Sequence, residues 1–135
     1  MERTLVICKP DALERRLVGE IVGRLEAKGL QLAAAELRTI DRNTAESHYG
    51  EHRERPFFDS LVDFITRGPS LLLVVQGPDG TVPMVRKLMG ATNPANADPG
   101  TIRGDLATET QENLVHGSDS SESAAREIGL FFPSL

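Results

Sequence analysis

Residues 113–120 read NLVHGSDS. A single imidazole, His116, follows an apolar pair and heads a turn of small and polar residues. An imidazole titrates near 6.5 in water, so at neutral pH it offers a lone pair without a strong base beside it. That suits nucleophilic catalysis or proton transfer. The end of a strand, where a loop begins, is a place where folds present active groups. Gly117 allows a close approach or a positive φ just beyond the ring. Ser118 and Asp119 offer partners that would fix one ring tautomer. The plainer reading is a structural histidine. A Ser-His-Asp hydrolase is the competing chemistry, but triad members converge in space, and no G-x-S-x-G elbow occurs.

Other chemical templates are missing. No Gly-Lys dipeptide and no G-x-G-x-x-G occurs, so any nucleotide is bound without a glycine-rich cradle. His48 and His52 are four apart and share a helix face, but H-E-x-x-H is absent; two exposed histidines are expected, not a zinc site. Lys9 leaves an apolar run just before Pro10, which projects its ammonium from a rigid base; the alternative is a lysine snorkelling over the surface. Cys8 ends the run LVIC and reads as a small buried hydrophobe. As the sole cysteine it forms no internal disulfide, which fits a reducing cytoplasm.

The elements that must position these groups follow from periodicity. Residues 4–8 and 71–75 are short continuous apolar runs, the mark of buried strands. Asp11 opens a helix whose stripe is Leu17, Val18, Ile21, Val22 and Leu25, stopped at Gly29. Residues 30–40 are ambiguous: three alanines favour helix, while partial alternation at Leu30 and Leu32 favours strand. A short polar helix is predicted over 43–52. Phe57, Leu61 and Ile65 mark another helix, ended by Gly68-Pro69. Val82, Val85 and Met89 mark a third, ended by Gly90. Residues 91–111 have no clear period and read as a functional loop. NLV is the last strand, and Asp119 with Glu122 predicts a capped final helix running to Gly129. Few strands among many helices suggest a small sheet covered by helices on one face.

At 135 residues the chain reads as one domain, 1–135. No run is long and apolar enough for a membrane span. The net charge of −5 argues against general nucleic-acid affinity but leaves room for a local basic pocket. Twelve of the fifteen basic residues are arginines, whose planar fork suits phosphate.

Four segments together carry a family resemblance: ERTLVICKPDALERRLVGEIVGRLEAKG at the start, HYGEHRERPFF at 48–58, GATNPANADPGTIRGD at 90–105, and NLVHGSDSSESAAREIGLFF at 113–132. In order and spacing the sequence resembles nucleoside diphosphate kinase over nearly its whole length, and its ending resembles the short actinobacterial members. The resemblance implies an α/β fold of the α+β kind, a ferredoxin-like βαββαβ sandwich whose four-stranded antiparallel sheet is covered by helices. That makes 30–40 a strand. It implies transfer of the γ-phosphoryl group from a nucleoside triphosphate such as ATP or GTP to a nucleoside diphosphate, ping-pong, through a phosphohistidine at His116. Mg²⁺ accompanies the nucleotide.

By the same resemblance Glu127 steadies the ring, and Ser118 hydrogen-bonds near Glu127. Lys9, Arg86, Thr92 and Arg103 hold the phosphates. Phe57, with Leu61, carries the base. Asn113 contacts the ribose, and Tyr49 lies near the transferring group. No direct protein ligand for the metal is implied; Asp119 either supports it through water or serves as a helix cap. The resemblance also implies a cytoplasmic homo-oligomer, a hexamer ahead of a tetramer, with no membrane or specific nucleic-acid partner. The turn Gln76–Gly80 and the segment ETQE at 109–112 depart from the family pattern, and the chain closes soon after Phe131-Phe132-Pro133, where longer members carry a tail. The alternative is a catalytically silent interaction module on the same fold, which would be expected to lose His116, Lys9 or Arg103.

Overall fold

The apolar run at the N-terminus forms strand β1 (Glu2–Cys8), and LLLVV lies within β3 (Ser70–Gly77). In the computed structural model, which describes residues 1–135, these two pair antiparallel from Glu2 opposite Gly77 to Cys8 opposite Leu71. The alanine-rich segment forms β2 (Gln31–Arg38) on the far side of β3, with a register irregularity between Leu32 and Ala34. Its helix propensity loses because β3 offers an unpaired ladder that takes up the backbone groups on one side of it. A short β4 (Val115–Gly117) pairs antiparallel with β1, placing His116 opposite Ile7. The strand order is β2-β3-β1-β4. Since β1 and β2 both run against β3, they are parallel to each other. This is the split βαβ arrangement of a ferredoxin-like fold, as the resemblance implied.

Helices cover both faces of the sheet, not one. Side chains alternate across a strand, and β1 and β3 are apolar on both sides, so each face needs a cover. Val6, Cys8, Leu73 and Val75 pack with residues of α2 (Val18–Ala27) and α5 (Thr81–Met89). Leu5, Ile7 and Leu72 pack with α3 (Arg42–His48), α4 (Phe58–Thr66) and α7 (Ser121–Phe131). The predicted first helix is broken. A one-and-a-half-turn α1 (Pro10–Glu14) precedes α2, and Arg16 turns the chain between them with φ 59°. The break lets α1 stay against the end of β1 while the Ile21 and Leu25 stripe lies on the sheet.

Four further boundaries differ from the sequence reading. The helix predicted over 43–52 ends at His48 and continues as a 3₁₀ turn, Gly50–His52. Residues 91–111 contain a 3₁₀ turn, Pro94–Asn96, and a five-residue helix α6 (Ile102–Leu106), too short to show a period. The last strand is VHG and not NLV, so His116 lies inside it. Residue 114 cannot begin it because its φ is +76°. The final helix is capped by Ser120, whose Oγ accepts from the Ser123 amide at 3.1 Å, and not by Asp119. It runs past Gly129 because the buried Phe131 anchors its last turn.

Helix α6 depends on a tight turn. The Gly100 φ is +92°, and the Thr101 hydroxyl caps the helix by accepting from the Gly104 amide at 2.9 Å. A Cβ at Gly104 would collide with the Asp98 carbonyl, which is backbone and has nowhere to go. Gly104→Ala should therefore lower stability by about 1–3 kcal/mol, the usual range for overpacking. Urea unfolding with an unchanged m-value is the measurement; an unshifted midpoint would mean the 98–104 turn is looser than described.

Candidate active site

His116 stands at the centre of a chain of hydrogen bonds. Its Nε2 lies 2.9 Å from Glu127 Oε1. An ionised carboxylate only accepts, so Nε2 carries the proton and Nδ1 keeps a bare lone pair. The same carboxylate oxygen accepts from the Ser118 hydroxyl at 2.7 Å. Ser118 is itself pinned to β1: its Oγ accepts from the Leu5 amide at 3.2 Å, and its amide donates to the Leu5 carbonyl at 3.1 Å. Glu127 reaches the ring because Ala124, Glu127 and Phe131 lie at helical spacing on the buried side of α7. Burial alone would raise the pKa of Glu127, but bonding and charge from His116, with the Ser118 bond, hold it below the ordinary carboxylate value. The partner that sets the tautomer is thus Glu127. Ser118 acts one step back, and Asp119 is exposed.

His116 lines a cleft of about 640 Å³ with Lys9, Arg86, Thr92, Arg103 and Asn113. Lys9 does not snorkel; it is 8% exposed and donates through Nζ to Asn113 Oδ1. Burial pulls its ammonium down to about 8, against the opposing pull of Asp11. Arg103 is buried and tied to the backbone carbonyls of Asn113, Gly90 and Val115. Burial, with repulsion from Arg86, brings its guanidinium to about 10, still charged at neutral pH. Arg86 leaves the apolar face of α5 and donates to the Gly117 carbonyl at 3.0 Å. Asn113 donates through Nδ2 to the Thr92 carbonyl at 2.9 Å, which ties the two sides of the cleft together.

At the outer end of the cleft stand Phe57 and Leu61. Phe57 is 44% exposed, so it is no core residue despite its place in an apolar stripe. Tyr49 lines the inner part, and burial pushes its phenol up to about 12, which keeps the proton on. The structure thus brings together every predicted site residue except Asp119. That residue borders a smaller adjoining hollow, which His116, Tyr49 and Arg86 also line.

The sequence reading expected His48 and His52 to be exposed, but His48 is buried beside the site, and it marked neither His52 nor Gln111 as a cleft residue. His48 is 5% exposed and packs edge-on against the His116 ring, with centroids 4.7 Å apart. The signal was its i,i+3 spacing from the buried Ala45. His52 and Gln111 also line the cleft, and nothing in their sequence context marks them.

Cations lining a cleft beside a histidine, on a ferredoxin-like sheet, are the setting of a phosphoryl-transfer enzyme. The family model for nucleoside diphosphate kinase matches residues 2–135. A nucleoside diphosphate kinase of Frankia casuarinae is 62% identical over 135 residues, covering 100% of this chain and 98% of the relative. One of Mycobacterium leprae is 58% identical, covering 99% of this chain and 98% of its own. Among solved structures, a nucleoside diphosphate kinase of Halobacterium salinarum in complex with CDP superposes with a TM-score of 0.94 at 50% identity, covering 97% of this chain and 87% of that one. The chain belongs to the nucleoside diphosphate kinase family, and it transfers phosphoryl groups between nucleotides.

His48 carries a pH signature. Burial holds its ring neutral, with its pKa pulled down to about 3, and charge on the adjacent His116 would oppose protonation further. Unfolding frees the ring to titrate near 6.5, so the unfolded chain binds one more proton below that pH, and stability falls as pH drops toward 3. Between pH 7 and pH 5, a His48→Gln protein should lose about 2 kcal/mol less stability than the parent. Denaturant unfolding at the two pH values measures this; equal losses would place His48 in a protonatable setting.

Proposed function

We propose that the chain moves a γ-phosphoryl group by ping-pong transfer through His116, within one domain spanning 1–135. The observation that carries this reading is the Glu127 carboxylate 2.9 Å from Nε2, which leaves Nδ1 as the nucleophile. Nδ1 attacks the γ-phosphorus of a bound triphosphate such as ATP. The bond to the bridging oxygen breaks, and the diphosphate leaves with that electron pair. The ring becomes a phosphoimidazolium whose positive charge rests against Glu127. In the second half, a terminal oxygen of an acceptor diphosphate such as GDP attacks the same phosphorus, and the neutral imidazole returns.

Phosphoryl transfer needs positioning and charge more than covalent help. Lys9, Arg86 and Arg103 are the three cations of the cleft, and Thr92 borders them. We assign the phosphates to these four. The base lies on the exposed face of Phe57 with Leu61 one turn on; stacking reads a π-face that every base has, so the site takes many nucleotides. Asn113 holds the ribose, and the protonated Tyr49 hydroxyl is placed to donate near the moving group. The relative from Halobacterium salinarum is a complex with CDP, which supports nucleotide binding by this chain.

Mg²⁺ belongs to the substrate in this reading. A hard cation needs oxygen ligands, and the cleft lining contains no aspartate or glutamate. His48, His116 and Glu127 do place donor atoms within 4.8 Å of one another, but two of the three are imidazoles, a poor set for Mg²⁺. On the nucleotide, the ion would neutralise phosphate charge, and Asp119 would support it only through water. No helix is long and apolar enough to cross a membrane. We read the chain as a cytoplasmic homo-oligomer, hexamer ahead of tetramer; β2 leaves one sheet edge open to a second copy.

Incubation with γ-labelled ATP should give an acid-labile, alkali-stable phosphoenzyme that unlabelled GDP discharges. His116→Ala should remain folded and unlabelled; label persisting on that variant would move the nucleophile elsewhere. Chelation tests the cation separately. EDTA should stop labelling by ATP yet leave the Tm of the nucleotide-free protein unchanged, whereas a lowered Tm would reveal a resident metal.

A further inference from the structure

Leu114 is the most strained residue near the cleft. It is fully buried, it is not glycine, and its φ is +76°. Left-handed backbone persists at such a residue only where the surroundings over-determine it. Both of its backbone groups are held from one short segment. The Leu114 carbonyl accepts from the Lys9 amide at 2.9 Å, and the Leu114 amide donates to Asp11 Oδ2 at 3.0 Å. Asp11 is 2% exposed, and its other oxygen, Oδ1, is buried without a hydrogen-bond partner. An acceptor that served only to close a turn would not need a second, unpartnered oxygen in the interior; burial raises the Asp11 carboxyl above its ordinary value, against which Lys9 and the Leu114 amide both pull toward the charged form. Neither Lys9 nor Leu114 reaches it, yet it sits in the field of the Lys9 ammonium.

We propose that Asp11 is a positioning residue for phosphoryl transfer: its carboxylate clamps the Leu114 turn that presents Asn113, and it holds negative charge beside Lys9. The inference rests on the reading of Lys9 as a phosphate ligand. Asn113 adjoins the clamped residue and contacts Lys9 through Oδ1 and the Thr92 carbonyl through Nδ2. Two residues beyond Leu114 is His116. One carboxylate therefore governs the placement of the amide, the ammonium and the start of the strand that bears the imidazole.

The charged and titratable groups facing Lys9 come from several elements: Asp11 on α1, Arg103 on α6, and Glu112 ahead of β4. The Phe64 ring of α4 lies 5.4 Å from Nζ. Burial and Arg103 both work against the ammonium; Asp11 and, more weakly, Glu112 work for it. With a folded value of about 8, Lys9 keeps its charge only narrowly at neutral pH. Removing the Asp11 charge therefore shifts loss of the ammonium to lower pH.

Asp11→Asn separates the two roles, because the amide oxygen still accepts from the Leu114 amide while the charge is gone. The variant should keep the parent's circular dichroism. Its kcat/KM for ATP should fall about twofold at pH 8, with the alkaline limb of the profile moved down by about half a pH unit. Asp11→Ala, which loses the acceptor as well, should add a several-fold rise in KM for the diphosphate. A purely structural aspartate would move stability and leave the limb in place. If Asp11→Asn does not fold, carboxyl ¹³C resonances of the parent decide the matter: the Asp11 signal should respond as Lys9 titrates near pH 8. A folded Asp11→Asn with an unmoved limb, or an Asp11 resonance flat across that range, overturns the role of Asp11. A parent protein that ATP does not label overturns the reading of the site itself.

Discussion

The hydrogen bond between Glu127 and His116 Nε2 decides what the rest of the molecule must supply. It fixes the ring tautomer, and so fixes which nitrogen is free. A bond between a carboxylate and a neutral imidazole is stable only if the carboxylate is kept ionised while mostly buried. Ser118 meets that requirement by donating to the same oxygen, and Leu5 fixes Ser118 in turn. The path from imidazole to sheet thus contains no freely rotating member. The exposed Arg126 lies 3.6 Å from the second carboxylate oxygen and adds charge from outside.

β1 is the common support. Leu5 secures Ser118, Ile7 pairs opposite His116, and the strand then delivers Lys9 to the cleft and Asp11 to the buried Leu114 turn beside it. Four of the proposed functional groups are therefore set by one strand whose residues 4–8 are fully buried. The apolar run that reads as a plain core strand is also the reference frame of the chemistry. Groups on the opposite rim (Phe57, Thr92) hang on shorter or more exposed supports. A rim that must admit and release nucleotides benefits from being less rigid than the base on which phosphorus is transferred.

The two buried strands at 4–8 and 71–75, the long helices and the turn at Gly77–Gly80 were legible in the sequence because each has a period or a strong breaker, whereas 30–40 was ambiguous and became a strand only through the family resemblance. Boundaries near the site were not. Arg16 and Leu114 adopt positive φ that no local signal marks, since their neighbours and not their own chemistry impose it. α6 is shorter than two turns and leaves no periodic trace. Continuous apolar runs did not reveal that both faces of the sheet are covered until the strands were paired. His116 alone was ambiguous; Lys9, Arg103 and Asn113 lie far apart in sequence, and only their convergence gives the histidine a chemical setting. His48 escaped because a polar helix with one buried face looks, from composition, like a solvated one.

The chain carries a net charge of −5, yet its cleft gathers Lys9, Arg86 and Arg103 around a histidine. Overall charge governs long-range attraction, which salt screens within about 10 Å. Inside a partly enclosed cleft the local cations act through a lower dielectric and outweigh the distant carboxylates. A surface negative on the whole disfavours extended polyanions such as nucleic acid, while the proposed site would hold a compact triphosphate within reach of three fixed cations. Burial is what makes those cations costly: it lowers both Lys9 and Arg103 from their ordinary values. The fold offsets that cost with backbone carbonyls on Arg103 and a nearby carboxylate for Lys9, and it does so without placing an acid in the cleft, where it would compete with phosphate. Selectivity for small, densely charged ligands follows from where the charges sit, against the sign of their sum.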